Sequence, residues 1–510
     1  MRGLGRVITA ALALALLGSL AGCSNPGRSS DAVDYLADIP FDRYLSEEEP
    51  PAGSVNILDF GAAADQSGEE NAAAINAAID QVSAAGGGTV LVPEGEFVSG
   101  TVVLKDNVEL FVQGTLRSMD YDKNRESSAP LSGGFLYANG AKNITITGGG
   151  RIHGSGETFC DPPAVYAPYT SPDPFNLKSY ILGFRDRIRF EKRNSGRVNL
   201  VQLENCENVS IHNIEFYQSA AWTCHILQSD QVDIHNLVIN NNYHVANTDG
   251  IDIACSQDVT VRDCFIATGD DGLCIKADGG EPVRDILIED CEVMSLANCF
   301  KIGTTVYQDV SDVTVRNCRF FLSGTAGGYA GISIQSDCGA TVSDIAVENI
   351  TMDHITAPFL IWLGDRNGET PGAVRNIRLA NIQADGVDLP SAITGTIHED
   401  QEYRVEQVKL ENIRVRYRDC QEDLNIRKGG VGYASMSDYP EITRVSHRYI
   451  ISHKLSFYWD LPVYGLFARH VDGLNVKGLE VIPRSSNTRP ADNITDPEDR
   501  IDIQNCTISA

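Results

Sequence analysis

The chain has 510 residues, 42% of them hydrophobic, and carries 69 acidic against 41 basic residues for a formal net charge of −28. A surface that acidic repels phosphate backbones and excludes nucleic acid as a partner. It also favours a neutral or weakly charged glycan over a polyanion, although salt screening leaves the local charge of a cleft to decide.

The first element is an export signal: Arg2 and Arg6 precede an apolar run from Val7 to Leu20, and Leu20-Ala21-Gly22-Cys23 follows. The run is short for a membrane span. Cys directly after Leu-Ala-Gly resembles a bacterial lipobox, which implies cleavage before Cys23, lipidation of its thiol, and an exported protein anchored in a membrane. Residues 1–22 therefore read as the signal. Residues 23–53, with Ser29-Ser30, Glu47-Glu48-Glu49 and Pro50-Pro51, read as an acidic, polar tether. Residues 54–510, about 455 of them, form one body, enough for a single elongated core and expected as a monomer.

A helix opens the body. Ser67-Gly68-Glu69-Glu70 fits a capping box, Ala72, Ile75, Ala78, Ile79 and Val82 make an apolar stripe, and Gly86-Gly87-Gly88 ends it. A strand over Thr89–Pro93 follows.

Further along, short apolar and polar alternations recur, starting at Val209, Val232, Val259, Ile286, Val313, Ile345, Ile377 and Val408, with intervals of 23 to 32 residues. Each ends in Asn or Asp before another apolar residue: Asn213, Asn236, Asp263, Asp290, Asn317, Asn349, Asn381 and Asn412. Strands this short cannot bury an apolar face alone, so successive copies must stack. The pattern predicts an all-β, right-handed parallel β-helix, its open N-terminal end covered by the helix at 67–85. The Asn and Asp series forms a corner ladder that bonds turn backbone. Leucine-rich repeats and propellers fit less well, because their signature strings are missing. Among thirteen cysteines, Cys264, Cys291 and Cys318 fall where other copies carry Ile or Leu, so they read as core thiols rather than disulfide partners. Cys160 and Cys420 lie in loops, where pairing stays open. The stretch 416–470 breaks the repeat, and coils resume at Leu474.

Aligning the strand after each Asn-rich turn places Cys224/Ile226, Ile251/Ile253, Leu273/Ile275, Phe300/Ile302 and Ile332/Ile334 inward. Two outward columns result: Trp222, Asp249, Asp271, Asn298, Ala330; and His225, Asp252, Cys274, Lys301, Ser333. Asp249 and Asp271 stack one coil apart, and Asp270 reaches the same face if the backbone bends at Asp270-Asp271-Gly272. Carboxylates this close cannot all ionise freely, so one pKa rises. That division of labour, one acid and one base, suits glycoside hydrolysis. Alone, Asp249-Gly250 or Asp271-Gly272 reads as an ordinary turn; two in register with a third acid read as a site. Calcium binding fits less well, since no calcium-loop spacing is present.

The strings Asn247-Thr248-Asp249-Gly250 and Gly269-Asp270-Asp271 resemble the first two signatures of glycoside hydrolase family 28, the polygalacturonases and rhamnogalacturonases. Asp59-Phe60-Gly61-Ala62, Gly88 to Phe97, Leu461-Pro462-Val463-Tyr464-Gly465 and Thr488-Arg489-Pro490 are similar to its bacterial branch. The resemblance implies a pectin-degrading β-helix that inverts the anomeric centre without metal or cofactor. In it Asp270 is the general acid, and Asp249 and Asp271 hold and activate water. Two signatures differ: Ala297-Asn298-Cys299 stands where the family has Gly-His-Gly, and Ser333-Ile334-Gln335 where it has Arg-Ile-Lys. Asn298 does not titrate near neutrality, and the lost cations would have bound a uronate carboxylate.

Candidate sugar-binding residues are Asn247, Lys276, Asn298, Lys301, Gln335 and Trp222, with Lys276 equally readable as a solubilising surface lysine. His225 and His244 are nearest to the missing histidine's place, although an outward His beside Asp252 is more often a surface hydrogen-bond partner. Trp222 and Trp362 are stacking platforms or packing groups, and Arg366 opens a loop near the cleft. The expected partner is a polysaccharide or oligosaccharide. Two alternatives share these features: a calcium-dependent polysaccharide lyase and an inactive glycan-binding β-helix.

Overall fold

A computed structural model of the chain describes residues 41–120, 133–161, 191–192, 197–242, 245–321, 330–365, 368–387, 390–417, 465–482, 492–494, 501–504 and 507–508. The eight repeat starts stack in unbroken parallel register, Val209 on Val232, then Val259, Ile286, Val313, Ile345, Ile377 and Val408. Each coil has three straight segments. The first two belong to one 22-stranded parallel sheet and the third to a separate twelve-stranded parallel sheet. Alternation of apolar and polar residues puts one set of side chains inside every coil. Val209, Ile211, Ile214, Phe216, Cys224 and Ile226 of one coil are all nearly inaccessible and belong to one continuous core.

The bend between the first two segments explains the Asn and Asp series. All eight residues have φ between 48° and 57°, the left-handed region that Asn and Asp tolerate better than other side chains. Their side chains do not chiefly bond turn backbone, as the sequence suggested. Asn349 Nδ2 donates to Asn317 Oδ1 (3.0 Å), Asn381 to Asn349 (3.0 Å) and Asn412 to Asn381 (2.9 Å). A left-handed residue aims its amide along the axis, where the next copy offers the matching acceptor.

The N-terminal end is closed by α1 (Gly68–Ala84), whose N-cap Ser67 and Glu70 form the capping box. Ala74, Ile75, Ala78, Ile79 and Val82 are buried against the first coils, while Ala72 stays half-buried. Asn71, fully buried, donates to Ala63 O and Val98 O, tying the helix to the coil beneath. Residues 41–53 are already docked: Arg43 pairs with Glu292 (2.7 Å), and Ser46 N donates to Asn213 Oδ1 (2.8 Å). Near the other end, coils resume at Leu466–Arg469, eight residues before the expected Leu474, because this strand pairs with Ser391–Thr394. The described cysteines are free and buried, as expected for core thiols. Cys23 and Cys420 and the Cys160 side chain lie outside the described residues.

Candidate active site

The site lies on the twelve-stranded sheet, on five successive strands: β1 (Cys224–Leu227), β2 (Ile251–Ala254), β3 (Leu273–Ala277), β4 (Asn298–Val306) and β5 (Ala330–Ser336). Their pairing gives the expected register. Cys224, Ile251, Leu273, Phe300 and Ile332 stack inward, and His225, Asp252, Cys274, Lys301 and Ser333 stack outward. Just before the strands, Thr223 N donates to Asp249 O, Gly250 N to Asp271 O and Gly272 N to Asn298 O. These three bonds hold Asp249, Asp271 and Asn298 in one column.

Gly250 and Gly272 do not owe their place to a positive φ, for neither has one. A Cβ on Gly250 would lie 2.4 Å from Gly272 O, and one on Gly272 would lie 2.4 Å from a Val293 methyl. Glycine is required here because coil meets coil closely, and that contact sets the spacing of the aspartates.

Asp270 is turned out of the strand line. Its Oδ2 accepts from Asn247 N (2.9 Å), its Oδ1 from Asp271 N (3.1 Å), and its carbonyl from Ser295 Oγ (2.6 Å). Carboxylate oxygens of Asp249, Asp270 and Asp271 all come within 4.8 Å of one another. Asp271 is bound by Asn298 Nδ2 (2.7 Å) and Lys301 Nζ (2.7 Å). Asn298 therefore reaches the acid through its amide and orients it without titrating.

Lys276 is not a solubilising lysine. It is 7% exposed, and its ammonium lies 2.5 Å from Asp252 Oδ1, 3.5 Å from Asp249 Oδ2, 3.0 Å from Cys274 Sγ and 4.8 Å from the centre of the Trp222 ring. Asp252, fully buried beneath it, is the participant that sequence reasoning passed over. Its outward parity was legible, but a buried outward carboxylate implies a buried cation, and Lys276 sits one coil away.

The electrostatics follow from this layout. Burial, then Asp252 and Asp270, push the Asp249 carboxyl well above its usual range despite Lys276. Burial raises Asp252 to about 6 against the pull of Lys276. Burial also acts on Asp271, but Lys301, Lys276 and Asn298 overcome it and hold that carboxyl below its ordinary value. Lys276 and Lys301 lose from burial but are raised overall by the acids around them, Lys276 chiefly by Asp252 and Lys301 by Asp271. The expected rise thus falls on Asp249. Three aspartate oxygens this close could approach a cation, but the ammoniums of Lys301 and Lys276 already lie on Asp271 and Asp249.

Other candidates fall in different places. Asn247 is exposed and meets the acids through its backbone N–H. His225 is buried, with Nδ1 2.9 Å from Gln202 Oε1 and its ring edge-on to Trp222, so it bonds away from Asp252 and is no surface group. Burial lowers it to about 4, leaving it neutral at pH 7. Trp222 is half-buried against Lys276, while Trp362 is fully buried and cannot stack on a sugar. Gln335 Nε2 donates to Ser333 Oγ (2.6 Å). His244 and Arg366 lie outside the described residues.

The profile of glycosyl hydrolases family 28 matches residues 83–429. An exopolygalacturonase of Arabidopsis thaliana is 26% identical over 340 residues, 64% of this chain and 71% of that protein. An endo-polygalacturonase of Pectobacterium carotovorum is 27% identical over 279 residues, covering 52% of this chain and 64% of its own. Among solved structures, an exopolygalacturonase from Thermotoga maritima has a TM-score of 0.57 at 23% identity, covering 74% of this chain and 90% of that one. The family 28 exopolygalacturonase of Yersinia enterocolitica reaches 0.61 at 17% identity, covering 89% and 78%. At these identities the two structures speak for the β-helix alone. The profile, which takes in more than half of the chain and all three aspartates, carries the assignment: this chain belongs to glycosyl hydrolases family 28.

Proposed function

We propose that this protein hydrolyses a glycosidic bond of a pectin-type polysaccharide or oligosaccharide, with inversion and without a metal. The observation that carries the reading is the convergence of carboxylate oxygens of Asp249, Asp270 and Asp271 within 4.8 Å of one another. The relatives named above are polygalacturonases, which supports a substrate of that class. Asp270 gives its proton to the leaving oxygen as the bond to the anomeric carbon breaks. A water held by Asp249 and Asp271 attacks that carbon from the opposite face and passes its proton to one of them. Solvent then takes that proton from the base and reprotonates Asp270. The nearest oxygens of the acids are closer than the roughly 6.5–9.5 Å common to inverting pairs, so the anomeric configuration of the product is the deciding test. Export and a lipid anchor on Cys23 complete the proposal, with the substrate met outside the cytoplasm.

Product analysis over homogalacturonan, rhamnogalacturonan and neutral α-glucans tests the reading. New reducing ends with inverted configuration support it. Retained configuration overturns the mechanism, unsaturated products lost in chelator indicate a lyase, and binding with no new reducing ends indicates an inactive binder. Asp270→Asn should lower kcat by roughly 10²–10⁴ with folding intact, the usual worth of a general acid. Undiminished turnover removes Asp270 from the mechanism.

A further inference from the structure

We propose that Ser295 is a positioning residue for the general acid: its hydroxyl holds the main chain at Asp270 in the bend that brings that carboxyl to the outward face. The proposal rests on the hydrolase reading above and adds a fully buried residue that touches no sugar.

The need for a clamp follows from strand parity. Successive side chains of a strand point to opposite faces, so with Asp271 outward a regular strand would turn Asp270 to the inside. One strand ends at Thr268 and the next begins at Leu273, and the chain bends over residues 269–272 between them. Pairing from coil to coil covers only part of this break: Asp271 O accepts from Gly250 N and Gly272 O from Ile251 N. Asp270 O accepts instead from a side chain of the next coil, Ser295 Oγ (2.6 Å).

The surroundings of Ser295 suit that contact. It is the last residue of the strand Glu292–Ser295, in register with Thr268. Its oxygen accepts from Ala297 N (2.9 Å), which leaves the hydroxyl proton to point at Asp270 O. The preceding coil repeats the device, for Thr268 Oγ1 donates to Thr248 O, next to Asp249. In both places a hydroxyl from the following coil holds the backbone beside an acid. Ala at position 295 takes this donor from Asp270 O and this acceptor from Ala297 N, a costly loss at a buried position, and the bend relaxes.

The test separates the acid from the rest of the site by leaving group. One substrate is an oligosaccharide of whichever panel polysaccharide the wild type cleaves, whose sugar alcohol needs a proton to leave. The other is its 4-nitrophenyl glycoside, whose phenolate leaves without one. Ser295→Ala, checked for folding by its thermal midpoint, should lose about 10- to 100-fold in kcat on the oligosaccharide with KM little changed, as expected of a displaced catalytic group. On the nitrophenyl glycoside it should lose about threefold or less. Added to Asp270→Asn, it should cost nothing further. Wild-type turnover in folded Ser295→Ala overturns the proposal. So do equal losses on both substrates, or additive losses in the double variant, either of which makes Ser295 a structural residue. Should Ser295→Ala not fold, Ser295→Cys, which fills the same space and donates weakly, is read on the same two substrates. A wild type that cleaves no polysaccharide in the panel overturns the hydrolase reading and this proposal together, whereas the outcomes above overturn the proposal alone.

Discussion

Lys276 is enclosed by Trp222 above and by Asp252, Asp249 and Cys274 around its ammonium. Its replacement by methionine leaves Asp252 buried without its cation, and Asp252 Oδ2 already lacks a partner. Stranding one member of a buried pair costs about 3–5 kcal/mol, so Lys276→Met should lower the thermal midpoint clearly. It has a second, separable effect. Lys276 pulls the Asp249 carboxyl down against burial and the neighbouring acids. Without it, Asp249 ionises only at higher pH, and a mechanism that needs it as carboxylate shifts the acid limb of kcat/KM upward. An unmoved limb with a lowered midpoint would confine Lys276 to stability. The strand parity of this lysine could be read from Ile275-Lys276, but its burial could not, because the covering ring comes from a coil more than fifty residues earlier. The same holds for Asp249, whose raised pKa depends on neighbours from its own coil and the next.

At the scale of the element, the positions of the acids depend on how closely β2, β3 and β4 approach. Gly272 is the tightest test, since its added Cβ would meet the Val293 methyl at 2.4 Å and Cys299 O at 2.8 Å. Gly272→Ala should destabilise by about 1–3 kcal/mol through overpacking and, by moving Asp271 away from Asn298, lower activity more than stability. Wild-type turnover in a folded Gly272→Ala protein would show that the close approach does not set the site. The sequence showed these glycines only as part of the Asp-Gly pairs, because close packing between coils leaves no local signature. The corner residues were more legible: Asn or Asp at a fixed place in every repeat marks a backbone that must go left-handed. The amide ladder needed the coils stacked before each partner could be seen.

For the whole molecule, one continuous core runs from α1 through the last long strands. Stacking alone leaves two open ends, and α1 covers one with Ile75, Ala78, Ile79 and Val82. Deleting residues 1–85 exposes that end and the edge at Gly88–Val92, which pairs with Val55-Asn56 in the intact chain. On size exclusion the truncated protein should elute as larger species than the full chain, or aggregate. A monodisperse truncated monomer would show the cap to be dispensable. The fold was legible at this scale because the period is written into the sequence, and eight repeat starts fall in register without a slip. The intervals between coils were less so: strand pairing, not residue spacing, decides that coils resume at Leu466.

That unbroken register constrains how such a site can change. Along the axis, side chains can be separated only by whole numbers of coils, each about 4.8 Å, and across the sheet a shift by one residue turns the group to the inside. Inserting a complete coil between Asp252 and Asp270 would keep every strand paired and still put Asp249 two steps from Asp271, out of reach of a shared water. Insertions elsewhere in the stack would only lengthen the cleft. The architecture therefore works like a ruler with fixed divisions: substrate length can grow by adding divisions, while the chemistry depends on two neighbouring marks staying adjacent.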